Sequence, residues 1–418
     1  MTKTVSIRSL LNKGQYSLYI ALAEKGVFFI IFMYFARTLN VAEYGLVMIT
    51  FSFANILSSF FEFGFAPYFQ REAAAHSNSI EEELNSVLGF KAVSFFLYGI
   101  LTVLYFTYIG TDTPLSVAIV ATTIYVFGIS GIFSRTLFGF NQYVDSFKAL
   151  IVSKIIVFIV AGVLIIFKAS YEFLLLVLLG GAILQTICLM SNVSHNGIYF
   201  KFALKAKILK RVIKSSLPIG IGLSFVWIYD KADVILIQRI IGNEAVSFYA
   251  VAYSLYKIPQ VIAGVILLPF FTEISNRYAT EGSLSMNELF KPAVLLVTVS
   301  GVIILAYNCI PELFLTLVYG NLYKRSGWIL STLSFALPGL LLNNLTGNTL
   351  NAIRKERKVM NSTFFAFLLN IGLNLMLLSW LGIVGAVIAT ICTEYFMLCI
   401  QIYYIQISQG IRWQKTTL

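Results

Sequence analysis

Charge is scarce in this chain: only 12% of its 418 residues are Asp, Glu, Lys or Arg, against about 25% in soluble domains. There are two histidines (His76 and His195), eight prolines and four cysteines. Cys188, Cys309, Cys392 and Cys399 fall within or at the edge of apolar segments, at spacings that suit neither a metal site nor a disulfide framework. No Gly-rich nucleotide loop or Walker-type Lys-Ser/Thr pair occurs, which argues against a primary pump within the chain. A membrane glycan polymerase or ligase has a similar length but ordinarily carries a large outer loop with arginine or histidine, and no such loop is visible. The first hydrophobic segment is too long for a signal peptide and lacks an A-x-A-like cleavage site, so it is expected to stay as the first helix. No catalytic residue, metal or cofactor is expected.

Apolar residues dominate instead: 58% of the chain is hydrophobic, with 36 phenylalanines. At about 20 residues per crossing, spans fall near 16–36, 46–68, 88–109, 115–137, 147–167, 173–193, 217–240, 245–271, 293–310, 328–350, 361–381 and 383–404. The runs are continuous, not alternating, which excludes a membrane β-barrel. The formal net charge of +11 invites a nucleic-acid reading, but most cations sit in short connections at helix ends. With the N-terminus placed in the cytoplasm, twenty cations, Lys91 among them, fall at inner ends and five at outer ends. That bias puts both termini on the cytoplasmic side of the membrane. The longest connection, 194–216, holds the basic run from Lys201 to Lys214 and reads as an orienting loop against anionic headgroups.

That loop divides the chain into an N-terminal lobe (1–200), a basic cytoplasmic loop (201–216) and a C-terminal lobe (217–418), with six helices in each lobe. Short motifs recur between the lobes. Arg37 and Arg239 close the first and seventh helices, and Phe65-Ala-Pro67-Tyr-Phe69 and Leu267-Leu-Pro269-Phe-Phe271 close the second and eighth, both pairs 202 residues apart. Six helices per half keep the membrane orientation, so the repeat is parallel, of the kind that encloses a central cavity and rocks to alternate its exposure. The expected fold is an all-α polytopic membrane protein of about twelve transmembrane helices in two such lobes.

The stretch Ala36-Arg37-Thr-Leu-Asn40-Val-Ala-Glu43-Tyr44-Gly45 resembles the signature after helix one of polysaccharide flippases. Phe63-Gly64-Phe-Ala-Pro67 with Arg71-Glu72 resembles the end of their helix two, and Asp233 with Arg239 and Tyr249 resembles a motif of the second half. Together these motifs are similar to the O-antigen (Wzx-type) flippases of the multidrug/oligosaccharidyl-lipid/polysaccharide exporter superfamily. Asn40 stands where that group often has Gly, and the usual Gly before Tyr249 is missing. The resemblance implies a central cavity that moves an undecaprenyl-pyrophosphate-linked oligosaccharide from the cytoplasmic to the periplasmic leaflet. A multidrug cation antiporter of the same superfamily and a peptidoglycan-precursor flippase, commonly of fourteen helices, are the alternatives.

Charges inside the spans cost at least about 2.5–3.5 kcal/mol each on insertion scales, so those present carry information. Lys25, Arg135, Lys154, Lys231 and Lys257, with Arg37 and Arg239 at the outer ends, form the candidate substrate-binding set, since a lipid pyrophosphate needs compensating cations. Lys25 and Lys257, central in their helices, lead that set, whereas Arg135 and Lys154 read as residues able to snorkel. The structural alternative pairs Glu24 with Lys25 and Asp233 with Lys257. Glu24, Asp233 and Glu394 are the candidates for coupling to H+ or Na+. Asparagines Asn343, Asn344, Asn348, Asn370 and Asn374 are placed to bond sugar hydroxyls or neighbouring helices. Pro259, Pro269 and Pro338 are placed to kink their helices. Expected partners are the lipid-linked oligosaccharide, membrane lipids and polymerase machinery, with no nucleic acid.

Overall fold

The computed structural model describes residues 7–75, 79–111, 113–201, 203–281, 284–408 and 411–412. His76, Lys3 and Lys415 lie outside the described residues. Fifteen helices follow one another: α1 (Ile7–Thr38), α2 (Val41–Glu62), α3 (Phe65–Ala74), α4 (Ile80–Tyr108), α5 (Pro114–Gly139), α6 (Tyr143–Ile166), α7 (Tyr171–Ser194), α8 (Ala206–Ile240), α9 (Asn243–Glu281), α10 (Met286–Cys309), α11 (Pro311–Tyr319), α12 (Gly327–Ser334), α13 (Leu337–Ala352), α14 (Glu356–Leu381) and α15 (Ile383–Gln406). Two-residue strands, β1 (Leu284–Ser285) and β2 (Ile411–Arg412), pair in parallel.

Nine helices are long and apolar enough to cross a bilayer among the described residues, and a tenth crossing is the bent pair 321–334 and 337–352. With the long helices α1 and α9, the twelve expected segments are all helical. The protein is a multi-pass membrane protein, and its surface shows why: Phe96, Phe167 and Trp380 (82% exposed) point outward, a waste in water but the normal solvent contact in lipid. Helix ends follow local chemistry. Asn40 caps α2 by accepting from Glu43 N at 2.8 Å while the Glu43 carboxylate accepts from Asn40 N at 3.2 Å, a complete capping box. Pro114 and Pro311 open α5 and α11, where no backbone donor is needed.

Two expected spans are broken. The segment 46–68 ends at Glu62: Phe63 (φ 46°) and Gly64 (φ 74°) are both left-handed, and α3 starts afresh at Phe65. A Cβ on Gly64 would stand 2.6 Å from Gly220 N and 2.7 Å from Ser216 O on α8, so the break passes α8 backbone against backbone. Gly64→Ala should therefore lower the thermal midpoint, by about 1–3 kcal/mol of overpacking plus the left-handed strain of an L-residue. A thermal-shift assay in detergent checks this, and an unchanged midpoint would mean that the close approach is not there. The segment 328–350 is likewise two helices bent by 50°, with Pro338 opening α13. By contrast α9 is helical through both Pro259 and Pro269, so only Pro338 sits at a break.

By contacts the chain forms two compact units, Tyr19–Lys231 and Ala232 onward, the latter with the residues before Tyr19. The first has a core of Phe65, Phe69, Leu84, Phe133, Leu137 and Leu189; the second has one of Leu296, Leu341, Leu350 and Ile405. The basic run is not a free loop. Asn85 on α4 donates to Tyr199 O (2.9 Å) and accepts from Lys201 N (3.0 Å), and α8 is already helical from Ala206. Buried Glu83 accepts from Arg211 (2.9 Å), Tyr68 (2.9 Å) and Ser79 (2.9 Å). Burial and the Glu83 carboxylate hold the Tyr68 phenol well above its ordinary range, so it stays a donor there. Lys91, counted with the orienting cations, is instead wholly buried on α4 with its ring neighbour Tyr125 at 4.8 Å.

Candidate functional site

In the unit Tyr19–Lys231 the charges converge at mid-helix. Lys154 lies eleven residues into the 24-residue α6 and is only 5% exposed; it does not snorkel. The sequence pattern missed this because α6 is apolar on every face beyond Lys154 and so marks no buried side there. The ammonium lies over the rings of Phe127 (4.6 Å) and Phe28 (5.8 Å), a cation–π setting, and no carboxylate comes within ion-pair distance of it among the described residues. Beside it runs a neutral polar cluster. Gln185 on α7 donates to Ser130 Oγ on α5 (2.8 Å) and to Glu24 Oε1 on α1 (3.5 Å), and accepts from Ser153 Oγ (3.5 Å). Lys154 exerts the largest attraction on the Glu24 carboxylate, ahead of Arg135 and Lys25. Glu24 thus lies in the field of a cation on another helix without forming an ion pair with it, and its sequence neighbour Lys25 is exposed.

The second unit holds a buried carboxylate. Asp233 on α8 is 4% exposed. Tyr249 on α9 donates to its Oδ2 at 2.7 Å, Thr390 on α15 to the same oxygen at 3.1 Å, and Asn374 on α14 to Oδ1 at 2.8 Å. The expected Asp233–Lys257 pair does not form: every partner of this carboxylate is neutral. Lys257 instead faces the rings of Tyr253 (5.1 Å) and Tyr256 (5.7 Å). Asn374 is tied to Asn370 O (2.9 Å), yet its own Oδ1 is enclosed without a donor. A buried acceptor left in that state next to a carboxylate costs about 1–3 kcal/mol, and a proton or a cation on Asp233 would remove the cost.

The remaining candidates are dispersed. Lys231 pairs with its neighbour Asp230 at 2.9 Å, although the two side chains leave the helix about 100° apart. Arg37 and Arg239 close α1 and α8 in exposed last turns. Arg135 is exposed, donates to Gln70 Oε1 (3.3 Å) and lies over Phe138 (5.5 Å). Glu394 on α15 is buried, accepts from Asn343 Nδ2 (2.8 Å) and takes the Tyr256 hydroxyl at 3.4 Å. The asparagines Asn343, Asn370 and Asn374 are thus engaged with carboxylates or one another, and Asn344 bonds Leu340 O of its own helix. No group of three His, Cys, Asp or Glu suited to a metal occurs among the described residues.

A family model described as polysaccharide biosynthesis protein matches residues 10–275. The chain belongs to that family. A second model, MatE, matches 218–376, a stretch that contains Asp233, Tyr249, Asn370 and Asn374. Among curated proteins, the Uncharacterized membrane protein MJ1068 of Methanocaldococcus jannaschii is 22% identical over 313 residues, 70% of this chain and 60% of that protein's length. Solved structures share the fold. An inward-facing multidrug resistance MATE family transporter of the MOP superfamily is 14% identical with a TM-score of 0.66, over 97% of this chain and 96% of that one. The lipid II flippase MurJ in an inward closed conformation is 15% identical with a TM-score of 0.63, over 93% and 87%. A MOP superfamily transporter from Pyrococcus furiosus, described as having a binding pocket of reverse polarity, is 12% identical with a TM-score of 0.65, over 95% of each chain.

Gln185, Ser130 and Thr390 were not among the residues the sequence singled out. Each is one of several uncharged polar groups in a largely apolar helix, a pattern that ordinary helix–helix bonding also gives, and only the convergence on Glu24 and Asp233 separates the two uses. Tyr249 was visible only through the family motif.

Proposed function

We propose that the protein flips a lipid-linked oligosaccharide, an undecaprenyl-pyrophosphate repeat unit of O-antigen type, from the cytoplasmic to the periplasmic leaflet of a bacterial inner membrane, with both termini cytoplasmic. The observation that carries this is Lys154. A buried ammonium with aromatic walls, lacking a carboxylate in contact among the described residues, is an incomplete ion pair, and an incoming phosphate completes it. Gln185, Ser130 and Ser153 supply donors and acceptors suited to the adjoining oxygens. Family membership supports a glycan role, and the superfamily fold supports transport by alternating access. Association with polysaccharide polymerase machinery follows from this role.

Asp233 supplies the drive in this reading. Its neutral cage takes up a proton or Na+ when exposed on one side and releases it on the other, so substrate movement is linked to an ion gradient. Asp233 also favours a second reading, a multidrug cation antiporter, since a buried carboxylate is a site for a cationic drug. One experiment separates them. Reconstituted protein should accelerate the transbilayer movement of a fluorescent polyprenyl-pyrophosphate oligosaccharide and leave efflux of an organic cation dye unchanged. Dye efflux without lipid movement would establish the antiporter instead.

A further inference from the structure

The Asp233 site has a near-copy two helical turns away. At Asp233 the carboxylate takes a tyrosine hydroxyl from α9 (Tyr249) and an amide from asparagine (Asn374), and the oxygen of that asparagine lacks a donor. At Glu394 the carboxylate takes a tyrosine hydroxyl from α9 (Tyr256) and an amide from asparagine (Asn343), and the oxygen of that asparagine also lacks a donor. Tyr249 and Tyr256 are seven residues apart and so share a face of α9. Tyr253 bridges them, with ring centroids 5.4 Å from Tyr249 and 5.5 Å from Tyr256. On α15 the two sites are joined by Thr390 and Glu394, one turn apart on one face. Polar groups continue from there towards the basic end of the unit, where Gln401 takes the Thr346 hydroxyl and donates to Ser362 at 3.2 Å.

The orphan oxygens of Asn343 and Asn374 are fully enclosed. Whatever satisfies them has to fit without displacing side chains, which a proton on the adjacent carboxyl does and a hydrated cation does not. Of the elements packed on α15, α12 and α13 carry no titratable side chain, α14 carries Glu356, Arg357 and Lys358 only at its start, and β2 carries Arg412; from α9, Tyr249 and Tyr256 reach α15 with their hydroxyls, and Lys257 adjoins Tyr256. We propose that Glu394, with Asn343 and Tyr256, is a second proton-binding site through which protons entering from the basic end reach Asp233. The step balances: a proton leaves Glu394 as carboxylate, a water carries it over the turn between Glu394 and Thr390, the Thr390 and Tyr249 hydroxyls each give one proton and take another, and the proton arrives on an Asp233 carboxylate oxygen. This rests on the reading of Asp233 as the coupling group.

The test is time-resolved infrared difference spectroscopy of the full chain in lipid after a pH jump, reading the carboxylic-acid carbonyl band. Wild type should show two components, one removed by Asp233→Asn and the other by Glu394→Gln. With Glu394→Gln the Asp233 component should reach the same end point about 100-fold more slowly, the low end of what a positioned proton-transfer group contributes. With Asp233→Asn the Glu394 component should keep its rate. Tyr256→Phe, which preserves the ring stack, should also slow the Asp233 component and serves if Glu394→Gln does not fold. An Asp233 component unchanged in rate in both Glu394→Gln and Tyr256→Phe overturns the relay, as does a wild type without a Glu394 component. Absence of the Asp233 component with the Glu394 component intact would instead count against Asp233 as the coupling group.

Discussion

Lys154→Met should separate stability from transport. Among the described residues the ammonium has no hydrogen bond or ion pair, so replacing it by an apolar side chain of similar length removes a desolvation cost and gives up only its contacts with the Phe28 and Phe127 rings and its attraction to Glu24. Replacements of whole buried ion pairs by hydrophobic residues have been neutral to about 1–4 kcal/mol stabilising; Lys154 has no ion-pair partner to strand among the described residues, so the thermal midpoint should hold or rise. Transport should fall by about 10–100-fold, corresponding to the 1.5–3 kcal/mol of a hydrogen bond to a charged group. Lys154→Arg should retain part of the activity, since it keeps the charge but changes its shape. The checks are the thermal-shift assay and the rate of lipid-oligosaccharide movement in liposomes. A lower midpoint with normal transport would make Lys154 a structural residue and remove the main support for the anionic substrate. Lys25→Ala, at an exposed position, should have the smaller effect of the two.

That ranking reverses the one drawn from sequence, for a physical reason. Hydropathy registers how far along a helix a charge lies, which made Lys25 and Lys257 prominent, but not which way the side chain points. Lys154 gains its weight from Phe28, Phe127 and Gln185, on three other helices. Helix number was legible because each crossing needs its own apolar run, whereas the start of α2 at Val41, fixed by the Asn40 capping box, lay outside the apolar run read from 46. The break at Phe63-Gly64 was not legible: a left-handed glycine reads the same inside a span as any other, and only the approach of Gly220 gives it a purpose. Asp233 was legible as a buried acid, while its cage comes from α9, α14 and α15, up to 157 residues away in sequence.

Asp233→Asn should be tolerated by the fold and should abolish gradient-driven transport. The amide oxygen can still accept from Tyr249 or Thr390, while the new N–H group meets the Asn374 amide, which keeps a bond there only by turning its oxygen towards it. Its stability should therefore fall by no more than about 1–3 kcal/mol, the cost of one group left unsatisfied. Asp233→Leu differs: it strands the Tyr249, Thr390 and Asn374 donors, at about 1–3 kcal/mol for each group left unsatisfied, and the midpoint should drop sharply. In liposomes, the Asn variant should still equilibrate substrate between leaflets yet fail to accumulate it under an imposed gradient, because a neutral amide binds no exchangeable proton or cation. Imposing pH and Na+ gradients separately on the wild type names the coupling ion. If the Asn variant accumulated substrate as well as wild type, the drive would lie elsewhere, and Glu24, within reach of Lys154, would be the next carboxylate to neutralise. Substrate charge and ion drive would then both lie in the unit Tyr19–Lys231, on α1 and α6.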